Sequence, residues 1–177
     1  MMDASPPYGW VEYCSVTPGQ PCHLGRAPSL QEAAVLNLVI NEGITGRESN
    51  GPDTWRAFPP DRQGDCDDYA MTKRAALIAF GADPEQIAVV TGEAVYPDGR
   101  RFFHVVIEYT LEGQTFILDN LSPELYSARK RPYEWVEEAR QQQLGDSRRQ
   151  RGGGGVGHDA LAAQRDGDGH LLSAGFP

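Results

Sequence analysis

The 177-residue chain has no apolar run approaching the ~18–20 consecutive residues that a membrane-spanning helix requires, so a spanning segment is not expected. It is also short of positive charge. Sixteen Lys and Arg stand against 25 Asp and Glu, a net charge of −9. A surface of that sign repels phosphate backbones and argues against a nucleic-acid partner. Cysteine is scarce, at three residues. No internal repeat is visible, and Met1 to Pro7 lacks the apolar stretch that a secretion signal uses.

Apolar residues make up 40% of the chain and charged residues 23%, the usage of an ordinary globular protein. The length suits about one domain at ~100–200 residues per domain. Residues 145–177 differ from the rest. Nine of these 33 residues are Gly, four Arg cancel four Asp, and large apolar residues are few. Such a segment buries too little surface to offset its ordering entropy and is expected to be disordered. Three stretches follow: an N-terminal segment 1–28, a folded domain 29–144, and the Gly-rich tail 145–177; the whole net charge sits in residues 1–144.

The odd cysteine count is met most simply by a Cys14–Cys22 disulfide and a free Cys66. That pairing implies an oxidising compartment, periplasmic or secreted. The alternatives are two reduced thiols in a cytoplasmic protein, or a metal site of Cys14, Cys22 and His23, whose spacing fits no familiar zinc pattern.

Residues 8–28, rich in Pro, Gly and Cys, read as an ordered loop. Ser29 with Glu32 forms a capping box, and Ala33, Leu36, Ile40 and Ile44 line the stripe of the helix that follows. Residues 45–64 form a long irregular connection, with Trp55 and Phe58 expected to pack it down. A second helix is expected from Cys66 to Phe80, closed by Gly81. Strands follow at Ile87–Val90, Arg101–Thr110 and Thr115–Asn120, with Pro97-Asp98-Gly99 as a hairpin turn. The polar run 137–143 suggests a short terminal helix. Helices followed by antiparallel strands make an α+β fold.

Hairpin parity carries the chemistry. If Phe103, Val105, Ile107 and Tyr109 share a core face with Phe116 and Leu118, then His104 and Asp119 fall together on the opposite face, opposed or diagonal and within reach. Cys66 lies at a helix N-terminus, a setting that lowers a thiol pKa. Nucleophile, acid/base and orienting carboxylate thus occur in the order Cys66, His104, Asp119. Asp65, Asp67 and Asp68 oppose this by crowding the thiol with negative charge. Calcium, which seeks clustered carboxylate oxygens, is one candidate to neutralise them, and Lys73 or Arg74 with the helix dipole is another.

Gly64-Asp65-Cys66-Asp67-Asp68-Tyr69-Ala70, with Lys73, Leu77 and Gly81 after it, resembles the bacterial transglutaminase-like cysteine proteinases. So do Phe102-Phe103-His104-Val105-Val106 and Ile117-Leu118-Asp119-Asn120, the upstream Leu36-Asn37-Leu38-Val39-Ile40-Asn41 and Asp53-Thr54-Trp55, and Pro7-Tyr8-Gly9-Trp10 with Cys14 and Cys22. The resemblance covers roughly residues 7–135. It implies a papain-like, transglutaminase-like α+β fold, with Cys66 as nucleophile, His104 as base and Asp119 as third member. Its LapG-like branch is periplasmic and calcium-dependent, cleaves surface adhesins, and is restrained by a membrane receptor. There the acidic residues flanking the nucleophile bind calcium, which here are Asp65 and Asp67, with Asp68 nearby. Asp67 stands where many relatives carry Glu. The Cys66 backbone N–H is the default oxyanion donor, and Trp55 or Gln63 a further guess.

The expected function is a cysteine endopeptidase acting on a protein or peptide through a thioacyl intermediate on Cys66. The same triad would serve acyl transfer to an amine, and a non-catalytic calcium- or protein-binding module would keep the fold without turnover.

Overall fold

The computed structural model describes residues 6–141, apart from Gln20 and residues 49–53. The expected disorder of 145–177 and the motif residue Asp53 lie outside the described residues.

Three helices and a five-stranded antiparallel sheet form the fold. Helix α1 (Tyr8–Val16) replaces the loop expected over residues 8–28. It buries Tyr8, Val11 and Cys14, spaced three apart, whereas Trp10, Tyr13 and Val16 stand exposed on its other side. Apolar residues all round blur the helical period, which hides α1 in the sequence. A Cys14–Cys22 disulfide ties α1 to the loop behind it, as the cysteine count suggested.

Helix α2 (Leu30–Gly43) starts at the expected capping box. The Glu32 N–H donates to Ser29 Oγ at 3.3 Å, and the Ser29 N–H to Glu32 Oε2 at 2.7 Å. Ala33, Leu36, Val39, Ile40 and the following Ile44 are buried. The connection that follows contains two short strands, β1 (Thr45–Gly46) and β2 (Gln63–Gly64), paired in parallel. Phe58 packs down as expected, but Trp55 remains exposed.

Helix α3 (Cys66–Phe80) is central and packs against both other helices. It ends at Gly81, whose φ of 117° lies in the left-handed region; a Cβ there would also meet the Arg26 carbonyl oxygen.

The sheet comprises β3 (Ile87–Val95), β4 (Arg101–Leu111), β5 (Gln114–Leu118), β6 (Tyr126–Ser127) and β7 (Glu134–Gln141), in the order β6-β5-β4-β3-β7. β3 extends well past the short strand expected at 87–90. The C-terminal stretch expected to form a helix is instead edge strand β7, whose partner along its length is β3. Its polar composition suits an edge, where pairing needs no buried side chains on both faces.

One sheet face carries Val89, Val105, Ile107, Tyr109 and Leu118 into the main core beneath the helices. Phe103, expected on that face, is 63% exposed because it lies near the start of β4, beyond the helical layer. The other face is also covered: Val90, Val106 and Ile117 pack with Tyr126, Ala128 and Trp135. That second layer encloses His104.

Candidate active site

Cys66 is the first residue of α3, with Asp65 as N-cap. Gly64 permits the turn before it. A Cβ there would sit 2.5 Å from the Asp68 carboxylate, so only glycine lets the chain pass. The thiol is half-buried and faces the Val105 backbone. Val105 follows His104, so the nucleophile candidate lies beside the strand that carries the base candidate. Burial pushes the Cys66 thiol up to about 12. The Val105 backbone acts in the opposite direction, and the charges of Asp65 and Asp67 push it higher still. A helix N-terminus does not outweigh those effects, so in metal-free protein the thiol rests protonated, not as the thiolate that its helix position favours.

β4 and β5 are joined by the two-residue loop Glu112–Gly113, with Ile107 opposite Leu118. This register preserves the expected parity. His104 and Asp119 meet diagonally, His104 Nε2 lying 2.9 Å from Asp119 Oδ1. Both are almost wholly buried. Nε2 donating to a carboxylate leaves Nδ1 as the ring's proton acceptor.

Asp119 sits at the centre of a cradle of donors. Oδ1 accepts from His104 and from the Leu121 N–H at 2.8 Å; Oδ2 accepts from the hydroxyls of Tyr126 and, at 2.8 Å, Tyr133. Burial alone would raise this carboxyl. The bond and charge of His104, with the Tyr126 and Leu121 bonds, more than offset it and hold Asp119 at about 2. From α2, Asn41 Nδ2 donates to the Asp119 carbonyl at 2.9 Å and to Ser122 O at 2.9 Å, while Asn37 Nδ2 holds Ser122 O and Pro123 O. These bonds fix the chain from Asp119 to Pro123.

Aromatic rings wall in the imidazole. Tyr133 meets His104 edge-on with centroids 5.3 Å apart, Phe102 lies at 5.3 Å, and Trp135 stacks at 6.4 Å. None of Tyr126, Tyr133 and Trp135 was singled out from sequence. Their signal was a tyrosine–tryptophan cluster shortly downstream of Asp119. Lys73, two helical turns after Cys66, is 1% exposed, and its Nζ has no hydrogen-bond partner among the described residues; the Tyr69 ring lies 5.8 Å away. Burial lowers its amine to about 7, against the pull of Asp119.

Asp65, Asp67 and Asp68 each offer a carboxylate oxygen, and these atoms lie within 4.8 Å of one another. An all-oxygen, anionic donor set fits a hard cation such as calcium. Asp68 also serves the loop before α3, accepting at 2.9 Å from both the backbone N–H and the guanidinium of Arg56. Of the two guessed oxyanion donors, Trp55 is on the exposed loop, and the Gln63 side chain in β2 accepts from Arg47 at 3.2 Å.

The family model of the bacterial transglutaminase-like cysteine proteinases matches residues 1–148. The chain belongs to this family. It is therefore a cysteine protease of the transglutaminase-like type. Solved structures agree on the fold. Legionella pneumophila LapG is 23% identical with a TM-score of 0.52, over 64% of this chain and 67% of that one. Its calcium-bound form is 26% identical with a TM-score of 0.51, over 63% of this chain and 65% of that one. Its EGTA-treated form is 23% identical with a TM-score of 0.52, over 64% and 65%. This transglutaminase-like proteinase spans about two thirds of the length of those structures. The comparison with curated proteins gives no match.

Proposed function

We propose that the chain is an endopeptidase in which Cys66 is the nucleophile, His104 the general acid/base and Asp119 the group that orients it. The observation that carries this reading is the buried His104 Nε2–Asp119 Oδ1 contact at 2.9 Å, on the strand whose next residue, Val105, the Cys66 thiol faces. The proton passes from Sγ to His104 Nδ1 as sulfur attacks the scissile carbonyl. The imidazolium then protonates the departing amine, leaving a thioester on Cys66. Water attacks that thioester, giving its proton to Nδ1, and the acid product leaves as the thiol is restored. Asp119, held anionic, stabilises the imidazolium and fixes its tautomer.

Asp65 and Asp67, with Asp68 beside them, are the residues that would hold calcium. Its charge would offset the carboxylates that oppose ionisation of Cys66. The disulfide supports a periplasmic or secreted location, and with it a cell-surface or periplasmic protein as substrate and a membrane receptor as regulator.

The test is acylation by p-nitrophenyl acetate with calcium present, read as a nitrophenolate burst with peptide mass mapping, followed by digestion of a peptide library. An acetyl group on Cys66, lost in Cys66→Ala and His104→Ala, with new peptide termini from the library, supports the endopeptidase. Acylation without new termini, or release only to added amines, would overturn hydrolysis in favour of acyl transfer. No acylation in any variant would overturn the triad itself.

A further inference from the structure

The hydroxyls of Tyr126 and Tyr133 both point at one oxygen of Asp119 and lie 3.1 Å from each other. They come from different places: Tyr126 from the two-residue strand β6, Tyr133 from the turn that leads into edge strand β7. Each side chain crosses to the buried carboxylate just past β5. Tyr133 is 4% exposed. It has a second task, since its ring abuts the His104 imidazole edge-on, at 88° between planes.

Asp119 must present Oδ1 to His104 Nε2 through every turnover. A carboxylate held only by the imidazole and one backbone N–H could rotate about its Cβ–Cγ bond or take up the proton itself. Two phenols on Oδ2 remove both freedoms. They saturate the far oxygen and set the carboxyl plane.

We propose that Tyr126 and Tyr133 are positioning residues for the protease reaction, a phenol clasp that locks the Asp119 carboxylate in its ionised form and orientation and, through it, the His104 tautomer. The clasp makes the C-terminal segment part of the active site. Residues 126–135 add no group to the triad, but they hold its third member. The inference rests on the Cys66–His104–Asp119 reading. Other charged groups acting on this cluster are Lys73 on α3 and Arg131 in the β6–β7 connection. Both are retained in the variants below.

Tyr126→Phe, Tyr133→Phe and the double variant keep the rings and remove only the donors. Two readouts are needed. The first is the Asp119 carboxyl titration by carbon NMR in a Cys66→Ala background, which needs no activity. It should move up by about one pH unit for each phenol removed. The second is the p-nitrophenyl acetate reaction in the Cys66 enzyme. The rate constant should fall about tenfold per variant with KM little changed, and the double variant should depart from the product of the singles because the hydroxyls touch. A purely structural role would lower the melting temperature and leave the Asp119 titration in place, and that result would overturn the clasp. If His104→Ala abolishes acylation while both Tyr→Phe variants keep full rate and an unmoved titration, this inference fails and the triad stands. If His104→Ala acylates normally, the triad fails first.

Discussion

His104 Nε2 and Asp119 Oδ1 lie 2.9 Å apart just past the paired end of the β4–β5 hairpin, both almost wholly buried. The two-residue loop at Glu112–Gly113 sets this pairing, because strands alternate faces with a period of two. An asparagine at 119 would preserve the shape but offer His104 an amide that can donate, inverting the demand on the ring. Asp119→Asn should therefore slow acylation by p-nitrophenyl acetate by about 10³–10⁴-fold, the scale seen when the carboxylate of a related triad is made an amide. Stopped-flow nitrophenolate release checks this. A loss under tenfold would mean Asp119 does not set the tautomer.

Cys66 offers a test of how the acidic cluster acts on the proposed nucleophile. Burial pushes its thiol up to about 12, and Asp65 and Asp67 add to the rise. In chelated protein, iodoacetamide alkylation of Cys66 should still be climbing past pH 9, with no plateau near the free-cysteine value of ~8.5. Removing either charge favours the thiolate, so Asp65→Asn and Asp67→Asn should shift the curve to lower pH. Calcium should do the same to the unmodified chain and lose its effect in the variants. Curves that overlay in all conditions would show that the carboxylates do not govern the thiol.

The parts legible in sequence were those governed by short-range rules. The capping box at Ser29 and Glu32, the stop at Gly81 and the parity of His104 with Asp119 depend on residues a few positions apart or on one tight hairpin. Helix α1 was not legible, because Trp10, Tyr13 and Val16 on its open side erase the contrast that marks a helix. Strand β7 was not legible, because its partner β3 lies some 45 residues back and an edge strand needs no apolar alternation. The clasp was hidden for the same reason. Tyr126 and Tyr133 reach Asp119 through tertiary pairing, not spacing. The ionisation of Cys66 turned on burial, which outweighed the helix N-terminus and which no local motif reports.

Lys73 is a buried amine whose Nζ makes no hydrogen bond among the described residues, and burial lowers it to about 7 from an ordinary 10.5. Below pH 7 it is protonated in both folded and unfolded chains, and the folded state bears the full cost of burying that charge. Between 7 and 10.5 the unfolded chain holds more protons at this site, so stability rises with pH. Cys66 acts oppositely above about 9, where the unfolded thiol ionises and the folded one does not. The Lys73 contribution is therefore isolated between pH 7 and 9, by comparison with Lys73→Met. That variant should be more stable near pH 6 by on the order of 1–4 kcal/mol, the range for apolar replacement of buried ionic groups. Its stability should also be flatter with pH. Urea melts at pH 6, 7, 8 and 9 measure both. A destabilised Lys73→Met would show that the ammonium is compensated inside the fold.

The Cys14–Cys22 bond closes a loop with a sequence separation of eight and fastens α1, whose Cys14 is wholly buried, to the segment passing behind α3. That segment bonds to α3 through the Leu24 N–H and Phe80 O, at 3.1 Å. Trp10 of α1 sits edge-on to Phe80, 5.5 Å between centroids. Reduction would lengthen the unfolded chain's reach without removing either contact. For so short a loop the chain-entropy estimate is about 2–3 kcal/mol. Cys14→Ala/Cys22→Ala should lose that amount plus a smaller penalty for the cavity at position 14, and Cys22→Ala alone should lose less, because Cys14 still fills its place. The damage should stay at the helical end, far along α3 from Cys66. Amide exchange should quicken in α1 and in residues 21–28 while the β4–β5 hairpin keeps its protection, and acylation of Cys66 should stay within about twofold at temperatures where the variant is folded. Loss of acylation in folded, disulfide-free protein would instead show that α1 controls the placement of the α3 N-terminus.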